Sequence, residues 1–149
     1  MARLLQRFAL VLWLVTASLC ATAAPPATAP LPAADVKAVR ATVQGQLDAF
    51  AARDAEKAFS YAAPSVRERL GSAERFMAMV RAGYPVVYEP AHVAFLIPEA
   101  LPDGTVVQRV QMTDQRGDAW LATYTLQRQK DKAWRITGCE VQGNKGRVA

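Results

Sequence analysis

Chemistry in this chain is limited first by how few reactive side chains it has. It carries one histidine, His92, and two cysteines, Cys20 and Cys139. A zinc site usually draws on four Cys, His or carboxylate ligands, and one His with one or two Cys falls short of the common sets. A thiol nucleophile needs a base beside it, and His92 is the sole imidazole on offer. General acid–base work needs a carboxylate whose surroundings shift its pKa. Asp103, Asp114, Asp118 and Asp131 all fall in turn-like segments. Glu140 is the one carboxylate within a strand-like run, and it shares alternation parity with Trp134 and Ile136, which would turn it toward an interior cavity. The nucleophile elbow GxSxG, the phosphate loop and GxGxxG are all missing from the sequence. No catalytic residue, metal ligand or cofactor is assigned on these grounds.

Aromatic residues are the better lead. Tyr84, Tyr88, Trp120, Tyr124 and Trp134 all fall near the expected contact between helices and strands. Ordinary core packing is one reading of them. The other is a partly open pocket, with Tyr84, Tyr88 and Tyr124 at its mouth and Arg81 as its polar contact. Tyrosine suits that role because its ring covers apolar surface while its hydroxyl still needs a partner. Arg67 and Arg81 either hold structural ion pairs or read an anionic group at the pocket mouth, and Arg69 and Arg109 are further polar candidates. A small apolar ligand is the partner this reading implies. An outer-face patch of Val107, Leu121, Thr123 and Thr137 would instead serve a homodimer. A small cavity enzyme, isomerase- or hydrolase-like, using His92 or a pocket carboxylate, is the remaining alternative.

The elements that would position these residues follow from periodicity. Val36, Val39, Val43, Leu47 and Phe50 recur at helical spacing, with Asp35 as the expected N-cap. Asp54 caps a second, shorter helix. Pro64 opens a third that Gly71 stops. Ser72 caps a fourth that buries Phe76, Met79 and Val80 and ends at Gly83. Beyond Gly83 the period changes. Pro85 and Pro90 bracket Val86, Val87 and Tyr88, read as a short extended edge segment. Alternating runs follow from His92 to Ile97, Thr105 to Thr113, Ala119 to Gln129 and Ala133 to Val141, separated by turn-forming clusters. Trp120, Tyr124, Ile136 and Phe95 are expected to be buried against Val43, Leu47, Phe50 and Phe76. Cys139 is expected to be a small, buried, inert strand residue, although alternation sets it opposite Trp134 and Ile136. Helices first and strands second predict an α+β fold, with N-terminal helices packed on a C-terminal, mostly antiparallel curved sheet.

The N-terminus describes a destination. Arg3 and Arg7 precede the apolar run Phe8 to Leu19, and Ala21 and Ala23 are the small residues that cleavage after Ala23 requires. That run is too short to cross a hydrocarbon layer of about 30 Å at about 1.5 Å per helical residue. Leu19, in place of a small residue, stands before Cys20, against lipidation there. The expected layout is a signal peptide over 1–23, a Pro/Ala-rich linker over 24–34, one domain over 35–142 and a tail over 143–149. The mature protein would then be periplasmic or secreted, with no stable membrane anchor. Losing Arg3 and Arg7 lowers the formal charge from +5 to +3. The densest basic cluster, Arg128, Lys130, Lys132 and Arg135, encloses Asp131 and reads as a solvated hairpin tip, so no nucleic-acid partner is expected.

Five blocks carry a resemblance. These are Gln46–Phe50 (QLDAF), Ala63–Arg67 (APSVR), Phe76–Tyr84 (FMAMVRAGY), Trp120–Leu126 (WLATYTL) and Trp134–Cys139 (WRITGC). They resemble a bacterial family, domain of unknown function 4864, across about Val36 to Val141. The order of helices and strands also looks like the cone-shaped nuclear transport factor 2-like superfamily. The resemblance implies the fold and a superfamily habit of holding small molecules in a cone-shaped pocket. It transfers no catalytic residue.

Overall fold

The computed structural model describes residues 30–143. Helix α1 (Ala33–Ala51) buries Val39, Val43, Leu47 and Phe50 of the predicted stripe and leaves Val36, in its first turn, half-buried. It starts two residues before Asp35. Pro32 occupies the N-cap, and its carbonyl accepts from Asp35 N and Val36 N. Asp35 therefore lies in the first turn and does not cap. Its carboxylate instead accepts from Trp134 Nε1 at 3.3 Å and pairs with Arg128 at 3.1 Å.

Three short helices follow with the expected ends. The Asp54 side chain accepts from Lys57 N at the start of α2 (Ala55–Ser60). Pro64 opens α3 (Pro64–Leu70), and Gly71 closes it at φ 85°, a conformation that favours glycine. The Ser72 hydroxyl accepts from Arg75 N ahead of α4 (Ala73–Gly83).

The segment after Gly83 departs from the sequence reading. Pro85–Tyr88 is a helical turn, α5, not an extended edge. Val86, Val87 and Tyr88 are all buried. An edge strand sends alternate side chains to opposite faces and would leave one of the three outside. A turn opened by proline, whose φ already suits a helix start, gathers all three into the core.

Five strands form one curved antiparallel sheet. β3 (Val106–Thr113), β4 (Ala119–Arg128) and β5 (Trp134–Gly143) make a meander. β1 (His92–Phe95) and β2 (Glu99–Ala100) pair in succession along the outer edge of β3. Ile97 lies beyond β1 and is 82% exposed. Where β1 gives way to β2, the buried Gln108 side chain fills the gap, donating from Nε2 to the Leu96 and Arg109 carbonyls.

The inner sheet face packs on α1, α3 and α5, with α4 set against α2, α3 and α5, through a core that includes Val106, Val110, Met112, Ala122, Tyr124, Leu126, Trp134 and Ile136. Tyr124 and Ile136 are buried as expected. Trp120 and Phe95 are only half-buried against the core. Both lie at its margins. The Trp120 indole reaches the Asp114 carboxylate, and Arg40 stacks over the Phe95 ring at 5.4 Å.

One irregularity decides what the interior contains. Pairing between β4 and β5 slips after Thr125, so Gly138 faces Thr125 while Ile136 faces Leu126. Thr137 is the extra residue of this β-bulge. A bulge places two residues opposite one and breaks the alternation downstream. Ile136 and Cys139 therefore both face inward, and Glu140 is exposed on the outer side.

Candidate functional site

An apolar cavity of about 300 Å³ lies between α1, α3, α4 and the β4–β5 half of the sheet. Its position follows from α3. That seven-residue helix has no fully buried residue. Val66, Arg69 and Leu70 line the cavity from this side. Phe50 comes from α1, and Phe76, Met79 and Val80 come from α4. The sheet supplies Tyr124, Ile136 and Cys139 as the floor, and the bulge is what brings Cys139 into that set.

The floor holds an unusual polar group. Tyr124 is 1% exposed, and its hydroxyl has no hydrogen-bond partner in the protein. Leaving such a group buried and unpaired costs on the order of 1–3 kcal/mol. Cys139 stands directly across the strand pair, and its thiol approaches the phenol, but sulfur is only a weak partner and no oxygen or nitrogen of the described residues bonds the hydroxyl. Burial, reinforced by Cys139, pushes the Tyr124 pKa well above its usual value, so the hydroxyl keeps its proton and remains a donor. Burial also pushes the Cys139 thiol up to about 12; Tyr124 opposes that shift, and the Glu140 charge adds to it. A neutral thiol is a poor nucleophile and a poor metal ligand. Gln46 also borders the space, but its amide is held by a bond from Nε2 to the Ala58 carbonyl at 3.1 Å.

The residues expected to form a site divide. Tyr124 and Tyr84 line the cavity together, Tyr124 at the floor and Tyr84 half-buried at the rim. Tyr84 also borders a second groove beside Trp120. Tyr88 does not line the cavity. Its ring packs in the core, 6.2 Å from that of Phe50. Arg81 is exposed and borders a different groove with Arg53, Tyr88 and Glu89. It directly follows the buried Val80, and a step of one residue on a helix points away from the buried face.

Arg69 is the cation at the cavity rim, and sequence reasoning gave it no role there. Its signal was the spacing from Val66, three residues earlier on the same side of a helix. Cys139 was expected to be buried, but unbroken alternation put it on the face opposite Trp134 and Ile136. Gly138, a glycine inside a strand, is the usual mark of a bulge.

Candidate acids and bases lie elsewhere. His92 is exposed at the start of β1, and Glu140 points outward. Asp103 is held below the usual carboxylate range by the Thr105 N–H and hydroxyl. Asp114 feels partial burial, which alone would raise its pKa. Bonds from Trp120, Asp118 and Arg116, together with the Arg116 charge, outweigh it and lower the pKa. Both carboxylates organise turns. Among the described residues, no three His, Cys, Asp or Glu side chains gather as a metal site, and no helix is long and apolar enough to cross a membrane.

Helices over one face of an antiparallel sheet, closing on an apolar cavity, define this as an α+β domain. The chain belongs to the family described as a domain of unknown function (DUF4864), whose profile matches residues 32–149. No curated protein and no solved structure gives a significant match.

Proposed function

We propose that this domain is a non-catalytic binding or accessory module that holds a small, largely apolar molecule in the helix–sheet cavity. One polar group of that molecule would meet the Tyr124 hydroxyl. The orphaned hydroxyl carries the reading: a buried donor without a protein partner, on the floor of an apolar cavity, is a group that a ligand can satisfy. The cone-shaped arrangement of the nuclear transport factor 2-like superfamily, which we take the fold to share, supports it by analogy. The cavity chemistry weighs against an enzyme. Its ionisable lining groups are Arg69, Tyr84, Tyr124 and Cys139, and no carboxylate or imidazole is among them.

Tyr124→Phe separates function from structure by sign. Removing an unpaired buried hydroxyl is expected to raise stability in denaturant melts by up to about 1 kcal/mol. The same change is expected to weaken a hydroxyl-bearing probe such as 1,8-octanediol by roughly 0.5–1.5 kcal/mol. Thermal shift followed by calorimetric titration measures both effects. A clear loss of stability in the phenylalanine variant would show that the hydroxyl is already bonded in the free protein, and would remove the reason for a ligand.

We also propose that the protein is exported, with cleavage after Ala23. These residues lie outside the described 30–143. Intact-mass analysis of protein from a periplasmic extract is expected to show a chain beginning at Ala24. A species retaining Met1, or one lipidated at Cys20, would overturn that.

A further inference from the structure

Building on the binding reading above, we propose that the ligand is a short-chain carboxylic acid, its carboxylate held by Arg69 at the rim and a hydroxyl or carbonyl oxygen at its other end held by Tyr124. Arg69 is the one charged side chain lining the cavity. It is exposed and forms no ion pair among the described residues; Arg40, Arg67, Arg75, Arg81 and Arg135 form none either, so its place on the cavity lining is what distinguishes it. A guanidinium offers two parallel donors, which match one carboxylate. A phosphate dianion would call for more than this single cation.

The two ends of the cavity are not interchangeable. A carboxylate at the floor would be buried without a counter-charge, which is costly. The Tyr124 phenol keeps its proton and offers a donor, so the inner group should be an uncharged acceptor. Size limits the chain as well. At roughly 30 Å³ per water-sized group, a cavity of about 300 Å³ takes on the order of ten heavy atoms. The competing role for Arg69 is structural, since it sits in the last turn of α3, where a cation suits the helix dipole.

Calorimetric titration of 8-hydroxyoctanoate, octanoate and 1,8-octanediol into the wild-type chain and into Arg69→Gln, Arg69→Lys, Arg81→Gln and Tyr124→Phe variants decides the matter. In the wild type, the hydroxy acid is expected to bind about five- to tenfold tighter than the diol. Raising salt from about 50 to about 500 mM should shrink that preference. Arg69→Gln should abolish it, while Arg69→Lys retains part of it and Arg81→Gln leaves it intact. Tyr124→Phe should instead erase the advantage of the hydroxy acid over octanoate. If the diol binds as well as the acid, or if the preference for the acid survives in Arg69→Gln, the carboxylate assignment falls while the cavity remains a binding site. If the Arg69→Gln variant loses thermal stability with no change in selectivity, the arginine is structural and the assignment falls too. If none of the three probes binds the wild type, this inference and the binding reading fall together.

Discussion

Cys139 and Glu140 are neighbours on opposite faces, and the extra residue Thr137 ahead of them decides which one turns inward. Unbroken alternation from Trp134 and Ile136 turns Glu140 inward; the bulge turns Cys139 inward and leaves the carboxylate in solvent. Residue type alone already suggested a small, inert strand cysteine. Its face was only hinted at by Gly138, because a strand glycine marks a possible bulge while the register that makes one is set by pairing with β4. The inward position has a testable result. The folded Cys139 pKa is raised, to about 12, so the stability this thiol contributes is fully present below the unfolded value of about 8.5 and is lost as pH rises toward the folded value. Between those limits, one group of this kind steepens the loss of stability by up to about 1.4 kcal/mol per pH unit. Denaturant melts from pH 8 to pH 11 should show a shallower alkaline decline in Cys139→Val than in the wild type. An aromatic disulfide reagent near pH 8 should modify the thiol much faster in denaturant than in the native protein. Equal rates in the two states would place the thiol at the surface.

At the scale of elements, local signals carried most of the helices. The Asp54 and Ser72 caps, Pro64 at a helix start and Gly71 at a helix end all operate through neighbouring backbone, so they are visible in sequence. Pro85–Tyr88 was not, because Pro85 and Pro90 bracket a strand as readily as a helical turn and only burial on one side distinguishes them. Gly45 was equally opaque. A glycine inside a helix costs about 1 kcal/mol relative to alanine, and no local feature explains it. The reason is tertiary. A Cβ at that position would run into the Tyr61 hydroxyl and ring, which lie across the α1 backbone. Gly45→Ala is therefore expected to destabilise by about 1–2 kcal/mol, the overpacking outweighing the gain in helix propensity. In a Tyr61→Ala background, the same change should stabilise by up to about 1 kcal/mol. Chemical denaturation of the four proteins in this cycle measures the reversal. The same sign in both backgrounds would mean that Tyr61 moves aside freely and that its packing does not account for the glycine.

Across the whole molecule, the order of periodicities was enough to predict helices on one face of an antiparallel sheet. A pocket was expected from the tyrosines, but its place beneath α3 was not, because that follows from how this short helix packs on β5 and not from a residue pattern. What joins the two halves of the chain was also hidden. Asp35, read as a cap, accepts from the Trp134 indole and pairs with Arg128, whose guanidinium also stacks 5.7 Å from the Trp134 ring. The Thr42 hydroxyl adds a bond to the Trp134 carbonyl at 3.3 Å. The first turn of the first helix is thereby fastened to the last hairpin, ninety-nine residues along the chain from Asp35 to Trp134. Arg128 is half-exposed, so its ion pair contributes less than the indole bond to a carboxylate that is 15% exposed. Asp35→Ala should therefore cost about 1–2 kcal/mol, and Asp35→Asn, which keeps an acceptor for the indole, less than half of that. If this contact couples the layers, helix melting followed by far-ultraviolet dichroism and tryptophan melting followed by fluorescence should shift together in Asp35→Ala. A helix transition that moves ahead of the fluorescence transition would show α1 fraying on its own, with the sheet held by the remaining core.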